Sequence, residues 1–338
     1  MFFAVIPHTN NEMKLPMKNI MICVLLCIQS SAYAVIHGEE LPANEVFTLK
    51  LNIHHQHWLN SVNAWEKYKS TCSSVIVGTQ PLTVITAGHC LKEIAFDSSS
   101  QLPNITIADT NFNLKDDIHL RGAFYYPFSE IQNNLALDVA ILVFDQSLPR
   151  EVKSVAIDTN PTQTDVLVCG YGNATNETTL FNPRCTTKRT LASLEDFYAV
   201  MPKHYEASDP MLHIKARAQF HYKQEIISSL NYLTAINRLD KNNQYSELEP
   251  MPTHGDSGGP WLQKSNANQY TNQYTLLAIT SYVERFYNKN SVWSFFAKDT
   301  PLDDYPYIAY GVKFNSPEIK ALIGNALASG ADITLINY

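Results

Sequence analysis

No run of apolar residues in this 338-residue chain is long enough to cross a bilayer. The longest wholly apolar stretch, Ile20 to Ile28, falls far short of the about 20 residues a spanning helix needs. Positive charge is also scarce: Lys+Arg 25 stand against Asp+Glu 32, a net charge of −7. A nucleic-acid-binding surface needs clustered cations to displace the counterions of a phosphate backbone, so that class is excluded. Charged residues make up only 17% against 45% hydrophobic, which rules out a disordered chain. With 12 glycines, collagen-like and linker-dominated readings fall away. No repeat at a fixed period and no low-complexity block is found. These exclusions leave a soluble globular protein.

What is there begins with a leader. Lys14 and Lys18 precede the apolar run, and Ala32-Tyr33-Ala34 follows it after a short polar stretch. A positive n-region, an apolar h-region and an A-x-A site read as a secretory signal peptide over residues 1–34, with Met17 an alternative start. Leu26 before Cys27 is too bulky for a lipoprotein cleavage box. The expected location is therefore secreted, or periplasmic in a bacterium. Cys72, Cys90, Cys169 and Cys185 remain after the leader. No C-x-x-C spacing suggests zinc, so disulfides are favoured. Three pairings stay open. The sequential one would close two short loops, each stabilising by about 3 kcal/mol if unstrained.

Short segments rich in Val, Ile and Thr recur between turn residues: Ser73–Val77, Leu82–Ala87, Val139–Phe144, Val166–Cys169 and Leu276–Thr280. They predict the strands of an all-β protein. After Asn315, the apolar residues Ile319, Leu322, Ile323, Ala326 and Leu327 follow helical spacing. Ser316 is placed as N-cap, Pro317 at the first position and Gly330 as the stop. Gln224–Ile236 shows helical spacing too, through Ile226, Ile227, Leu230 and Leu233.

Three strings carry chemistry: Thr86-Ala87-Gly88-His89-Cys90, Leu137-Asp138-Val139-Ala140-Ile141-Leu142, and His254-Gly255-Asp256-Ser257-Gly258-Gly259-Pro260. A serine hydroxyl is a weak nucleophile at neutral pH and needs an adjacent base, which in turn needs a group to orient it. Any one of the three residues alone reads as a core histidine, a strand-start acid or a turn serine. Together, in this order and with these flanks, they resemble the trypsin/chymotrypsin-like serine endopeptidase family.

The resemblance runs from Val35 to the C-terminal helix, interrupted by insertions. It implies two antiparallel six-stranded β-barrels with the active site between them, plus a C-terminal α-helix. The implied boundaries are 35–145 and 150–314 for the barrels and 315–330 for the helix, within a protease domain of 35–338. It implies a triad of His89, Asp138 and Ser257, with the N–H groups of Gly255 and Ser257 as oxyanion hole and no cofactor. Cys72 and Cys90 resemble the pair bridging the loop beside the catalytic histidine, and Cys169–Cys185 is the second expected bridge. Ser281-Tyr282-Val283 resembles the strand edge that pairs with the substrate backbone. Val35-Ile36-His37-Gly38-Glu39 resembles the N-terminal motif of the active family members, whose α-ammonium meets the acid before the nucleophile, here Asp256. Cleavage after Ala34 would free that terminus directly. Partners would be a protein or peptide substrate, with no nucleic acid and no membrane span, and the protein a monomer.

The chain also departs from the family. Met251 stands where an Asp would select Lys or Arg, and Val283 stands where the pocket wall is usually Gly. An apolar floor cannot compensate a buried cation, so small or medium apolar side chains are expected instead. Thr253 replaces the usual Cys of the nucleophile loop. Insertions fall before His89, between Gly172 and Gly255, and after Ser281, which points to a selective protease. His54-His55-Gln56-His57 reads as a solvated insertion loop rather than a metal site, and the aromatic stretch Val292–Phe296 as core. The alternatives carried forward are an inactive binding module of the same fold and an esterase using the same triad.

Overall fold

The computed structural model describes residues 35, 38–41, 45, 47–59, 63–95, 102–108, 118–149, 151–162, 165–172, 183–190, 231–236, 252, 255–264, 274–285 and 307–337. In chain order the first strands are β1 (Glu39–Glu40), β2 (Thr48–Leu59), β3 (Ala64–Thr79), β4 (Leu82–Thr86), β5 (Ile105–Ile107), β6 (Leu120–Tyr125) and β7 (Ala140–Phe144). A short helix, α1 (Phe128–Asn133), lies between β6 and β7. Strands β2 to β7 form a six-stranded antiparallel sheet in the order β5-β2-β3-β4-β7-β6. Strands β4 and β7, both inside the sheet, are buried at every position, so neither alternates; the only polar side chains in them, Thr83 and Thr86, have their hydroxyls hydrogen-bonded. In β2 the alternation is kept: Leu49, Leu51, Ile53 and His55 point inward.

The second sheet takes β8 (Ala156–Asp158), β9 (Asp165–Gly170), β10 (Arg184–Arg189), β11 (Tyr232–Ile236), β12 (Pro260–Lys264), β13 (Tyr274–Arg285), β14 (Tyr307–Lys313) and β15 (Leu335–Ile336), and recruits β1. Its path is β1-β10-β9-β12-β13-β14-β11, with β8 pairing β13 and β15 in parallel. Both sheets curl, and the mainly-β two-barrel architecture holds. The strand count of the second is corrected from six to nine, because the N-terminal segment, the crossover and the tail each add a short strand.

Helix α2 (Pro317–Ala328) starts where the sequence places it: Ser316 Oγ accepts the N–H of Ile319 at 3.2 Å. Ile319, Ile323 and Ala326 are fully buried beside Tyr310, Val312 and Phe314. The same cluster includes Val77, Ile85 and Val143 of the first sheet, so the helix closes a core that both sheets share. Burying each isoleucine contributes about 1.5–3 kcal/mol.

Two expectations are corrected here. Helical spacing over Gln224–Ile236 does not survive at its C-terminal end, where Tyr232–Ile236 is a strand in register with Val312 to Ile308. Long-range pairing with β14 and burial of Tyr232, Leu233 and Ala235 outweigh local periodicity, while 224–230 lie outside the described residues. His54-His55-Gln56-His57 is no loop: all four residues sit in β2, paired with Lys69 to Glu66 of β3.

After α2, the tail returns to bind both sheets. The Asp332 carboxylate accepts the N–H groups of Thr79 at 2.7 Å and Gln80 at 2.9 Å, at the β3–β4 turn. Three residues later β15 pairs with β8 of the second sheet. Asp332→Ala removes two charge-assisted bonds and should lower stability by about 2 kcal/mol. A urea midpoint shift without change in slope is the expected outcome.

Candidate active site

His89 lies in the 3₁₀ turn Gly88–Leu91 directly after β4. That turn is pinned to β3 by the Cys72–Cys90 disulfide, whose Cα atoms are 6.5 Å apart. Asp138 follows a second 3₁₀ turn, Leu135–Leu137, and immediately precedes the buried run of β7. One carboxylate oxygen of Asp138 accepts the backbone N–H of His89 at 2.6 Å, and the other meets the imidazole Nδ1 at 2.8 Å. A carboxylate has no proton to give, so Nδ1 carries it, and Nε2 is left with a lone pair directed away from Asp138. Ser281, in the middle of β13, donates its hydroxyl to the same carboxylate oxygen as Nδ1. Three donors, two from His89 and one from Ser281, satisfy a carboxylate that is buried from water.

Burial pulls the His89 pKa down, but the charge and hydrogen bond of Asp138 outweigh it and leave the value raised above 6.5. The sign follows: a raised folded value means the ion pair contributes fully below about 6.5 and is lost as pH rises through that raised value.

Ser257 is partly exposed in the turn between Gly255 and Pro260. Gly255 and Gly258 take φ of +89° and +81°, in the region that favours glycine. A side chain at Gly258 would collide with Thr86 Oγ1, with the Ser73 carbonyl and with the backbone N of Ala87. The nucleophile loop therefore abuts the end of β4, two residues before His89. Ser73 holds it there. Its N–H donates to the Ser257 carbonyl at 2.9 Å, its hydroxyl donates to the Gly255 carbonyl at 2.9 Å, and that hydroxyl accepts from the N–H of Tyr171 at 2.9 Å. Among the described residues, neither the Gly255 nor the Ser257 N–H donates a hydrogen bond.

On the far side of the loop, Asp256 is fully buried. Its oxygens accept the N–H of Gly172 at 2.7 Å and of Val35 at 3.1 Å. Only glycine at 170 leaves room for that carboxylate. The structure thus brings Val35 and Asp256 together, as the sequence motif anticipates.

The remaining expectations divide. Cys169 and Cys185 are bridged, at Cα atoms 4.1 Å apart. Tyr282 lies on β13 next to a break in its pairing with β14 and stacks on buried Tyr310 at 4.3 Å, 12° from parallel. Val283 continues β13, paired with Ala309. Met251, His254 and Val292–Phe296 lie outside the described residues. Two contributions escape sequence reading. Ser281 is read as a substrate edge yet faces Asp138, and Ser73 is read only as part of a strand. Ser73 opens the run to Val77 and Ser281 directly follows the run Leu276–Thr280, and a serine at the end of a buried run is the signal each offers.

Comparison with known proteins finds a match over part of the chain. The model of the family described as Trypsin matches residues 46–196. No curated protein matches the chain. Among solved structures, the crystal structure of the protease Anisep from Arthrobacter nicotinovorans is similar at 16% identity and a TM-score of 0.43, covering 88% of this chain and 98% of that one.

The His89–Asp138 contact makes a direct prediction. Ring-selective NMR should show His89 titrating above 6.5, and Asp138→Asn should move it below that value, since burial alone then acts. An unchanged midpoint in the Asn variant would show that Asp138 is not what holds the imidazolium.

Proposed function

We propose that this chain, whose residues 46–196 match the Trypsin family model, is an exported serine endopeptidase. The observation that carries this reading is the nucleophile loop seated against Thr86-Ala87 while His89 is oriented by buried Asp138. Ser257 Oγ attacks the scissile carbonyl carbon as its proton passes to His89 Nε2. The carbonyl oxygen becomes an oxyanion held by the N–H groups of Gly255 and Ser257, where losing one donor typically costs about 10²–10³ in rate. His89 then returns the proton to the departing amine, and the C–N bond breaks. Water, deprotonated by His89, attacks the acyl-enzyme, and the proton goes back to Ser257. Asp138 keeps the imidazole in the required tautomer and stabilises its charged form throughout; in Ser-His-Asp triads generally, loss of that acid costs roughly 10⁴-fold in rate. No cofactor takes part in this chemistry.

Binding of the substrate backbone falls to the edge Ser281-Tyr282-Val283 of β13. Met251 and Val283 are apolar residues at the positions that the resemblance gives to the pocket floor and wall, so Ala, Val or Leu should be preferred to Lys or Arg before the scissile bond. Ser257→Ala should fold like the parent and lose hydrolysis of both casein and short Ala-, Val- or Leu-containing peptides. A fluorophosphonate should label the parent alone. Casein cleavage at the parental rate by the Ala variant, or faster cleavage after Lys and Arg, would overturn the nucleophile or the pocket assignment respectively.

Export itself is the activating step in this reading. Val35 already donates to Asp256 at 3.1 Å. Cleavage after Ala34 turns that amide into an ammonium at the same place, adding charge to the contact and ordering the loop that carries Gly255 and Ser257. Active protein should begin at Val35 on N-terminal sequencing, and one extra residue there should lower kcat/KM by roughly tenfold or more, about 1.4 kcal/mol. Full activity with the extra residue would sink this mechanism.

A further inference from the structure

Strands β2 and β3 run on past the body of the first sheet as a hairpin, and one face of its outer half is unlike the rest of the surface. The register pairs Trp58 with Trp65, Gln56 with Lys67 and His54 with Lys69. Directly opposed residues of an antiparallel pair share a face, so these six side chains form one stripe. Trp58 is 37% and Trp65 57% exposed, and their rings meet edge-on at 5.2 Å. Lys67 and Lys69 are exposed, and neither makes an ion pair among the described residues. Two bare tryptophans beside two bare lysines are a costly surface for a chain of net charge −7.

The hairpin is held firmly from its other face. His55 is buried, with Nδ1 donating to the Lys92 carbonyl at 2.7 Å and Nε2 accepting from Ser70 Oγ at 2.6 Å. Tyr68 stacks on His55 at 4.6 Å, and Glu93 reaches His57 at 3.3 Å. The Gln56 N–H donates to the Glu93 carbonyl and the Ala95 N–H to that of His54. The exposed stripe therefore stands on a rigid support bolted to the turn that follows His89.

Its position relative to the cleft follows from the strand period. Ser73 shares the face of Lys69, Lys67 and Trp65, and its hydroxyl bonds Gly255 of the nucleophile loop. At about 3.3 Å per residue the stripe starts roughly 13 Å from Ser73 and ends roughly 26 Å away. The Ser73 N–H faces outward to the Ser257 carbonyl, so every second residue, Thr71, Lys69 and Lys67, turns its backbone groups to that same edge. Beyond Val75, which pairs with β4, that edge of β3 has no strand partner among the described residues.

We propose that this stripe and edge form a docking site for an acidic, apolar-punctuated segment of the protein substrate, outside the residues held in the cleft. The inference rests on the endopeptidase reading and names the substrate class for it. An extended segment adds to the open edge of β3, its carboxylates meeting Lys67 and Lys69 and its apolar side chains meeting the tryptophans. The stripe lies on the face by which Ser73 holds the loop of Gly255, at the open edge of an extended strand, so a polypeptide reaching out of the cleft is the occupant.

Two peptides test this on the mature chain: a short one filling only the cleft, and the same peptide extended by about eight residues of alternating Glu and Leu. At low salt the extended peptide should show a KM about tenfold lower at unchanged kcat. The double variant Lys67→Glu/Lys69→Glu should abolish that gain and Trp65→Ala reduce it, with the short peptide unaffected by either. About 1 M salt should remove the charge-dependent part. Equal KM values for the two peptides, or an equal loss on the short one in the double variant, overturn the docking site. If neither peptide is hydrolysed, the endopeptidase reading fails by itself. The fluorescein-labelled extension titrated into Ser257→Ala then decides the stripe, with about tenfold weaker binding expected after the double reversal. Binding to phosphatidylserine vesicles but not to that peptide would give the stripe to a membrane and overturn the proposal.

Discussion

Everything in the candidate site depends on how Ser73 joins the two sheets. One residue of β3 accepts Thr86 Oγ1 on its carbonyl, gives its N–H to Ser257, and uses its hydroxyl as donor to Gly255 and acceptor from Tyr171. Four bonds around a fully buried residue leave the nucleophile loop little freedom to shift against β4. Cys72 next to it is bridged to Cys90, next to His89. His89 and Ser257 are carried by different sheets, yet each is tethered to adjacent residues of one strand. The N–H, carbonyl and hydroxyl of Ser73 are all partnered in this low-dielectric junction, and removing one partner would leave a buried polar group unpaired.

The two buried acids repeat that logic on either side. Asp138 is satisfied by His89 twice and by Ser281 across the sheets. Asp256 is satisfied by Gly172 and by Val35, which reaches it from the start of the described chain. A lone buried carboxylate would cost several kcal/mol, so these donors are conditions of folding as well as of chemistry. Consequently the segments supplying them are fixed by the same contacts: β13 by Asp138, the N-terminal segment by Asp256. The site is assembled from parts that the fold cannot place elsewhere without stranding a charge.

Local signals were legible in the sequence where one segment decides its own fate. Helix α2 announces itself through Ser316, Pro317 and Gly330, all three acting within a turn of the chain they punctuate. The apolar runs of β4, β7 and β9 were equally plain. What misled was context: Tyr232–Ile236 has helical spacing upstream, yet its pairing with β14 decides the outcome. The histidines of β2 hid an alternation already running through Leu49, Leu51 and Ile53, because a buried histidine looks polar until Lys92 and Ser70 are seen to satisfy it. The His89, Asp138 and Ser257 strings were readable because each keeps its flanks. The reach of Ser281 to Asp138, 143 residues away, leaves no trace in either flank.

The places where this chain elaborates the fold are at strand ends and edges rather than in the shared core. The tail adds β15 and the Asp332 clasp at one end of the molecule, and β2 and β3 extend the first sheet at another. Neither alters the contacts of Ser73, Asp138 or Asp256. A core packed from both sheets tolerates little change in volume, whereas a hairpin can lengthen at its tip without disturbing what its base holds. The outer hairpin can therefore change while the contacts at its root stay fixed. The single strand β3 serves both ends: Ser73 positions the nucleophile loop, and the same face eight residues away presents Trp65 to the solvent.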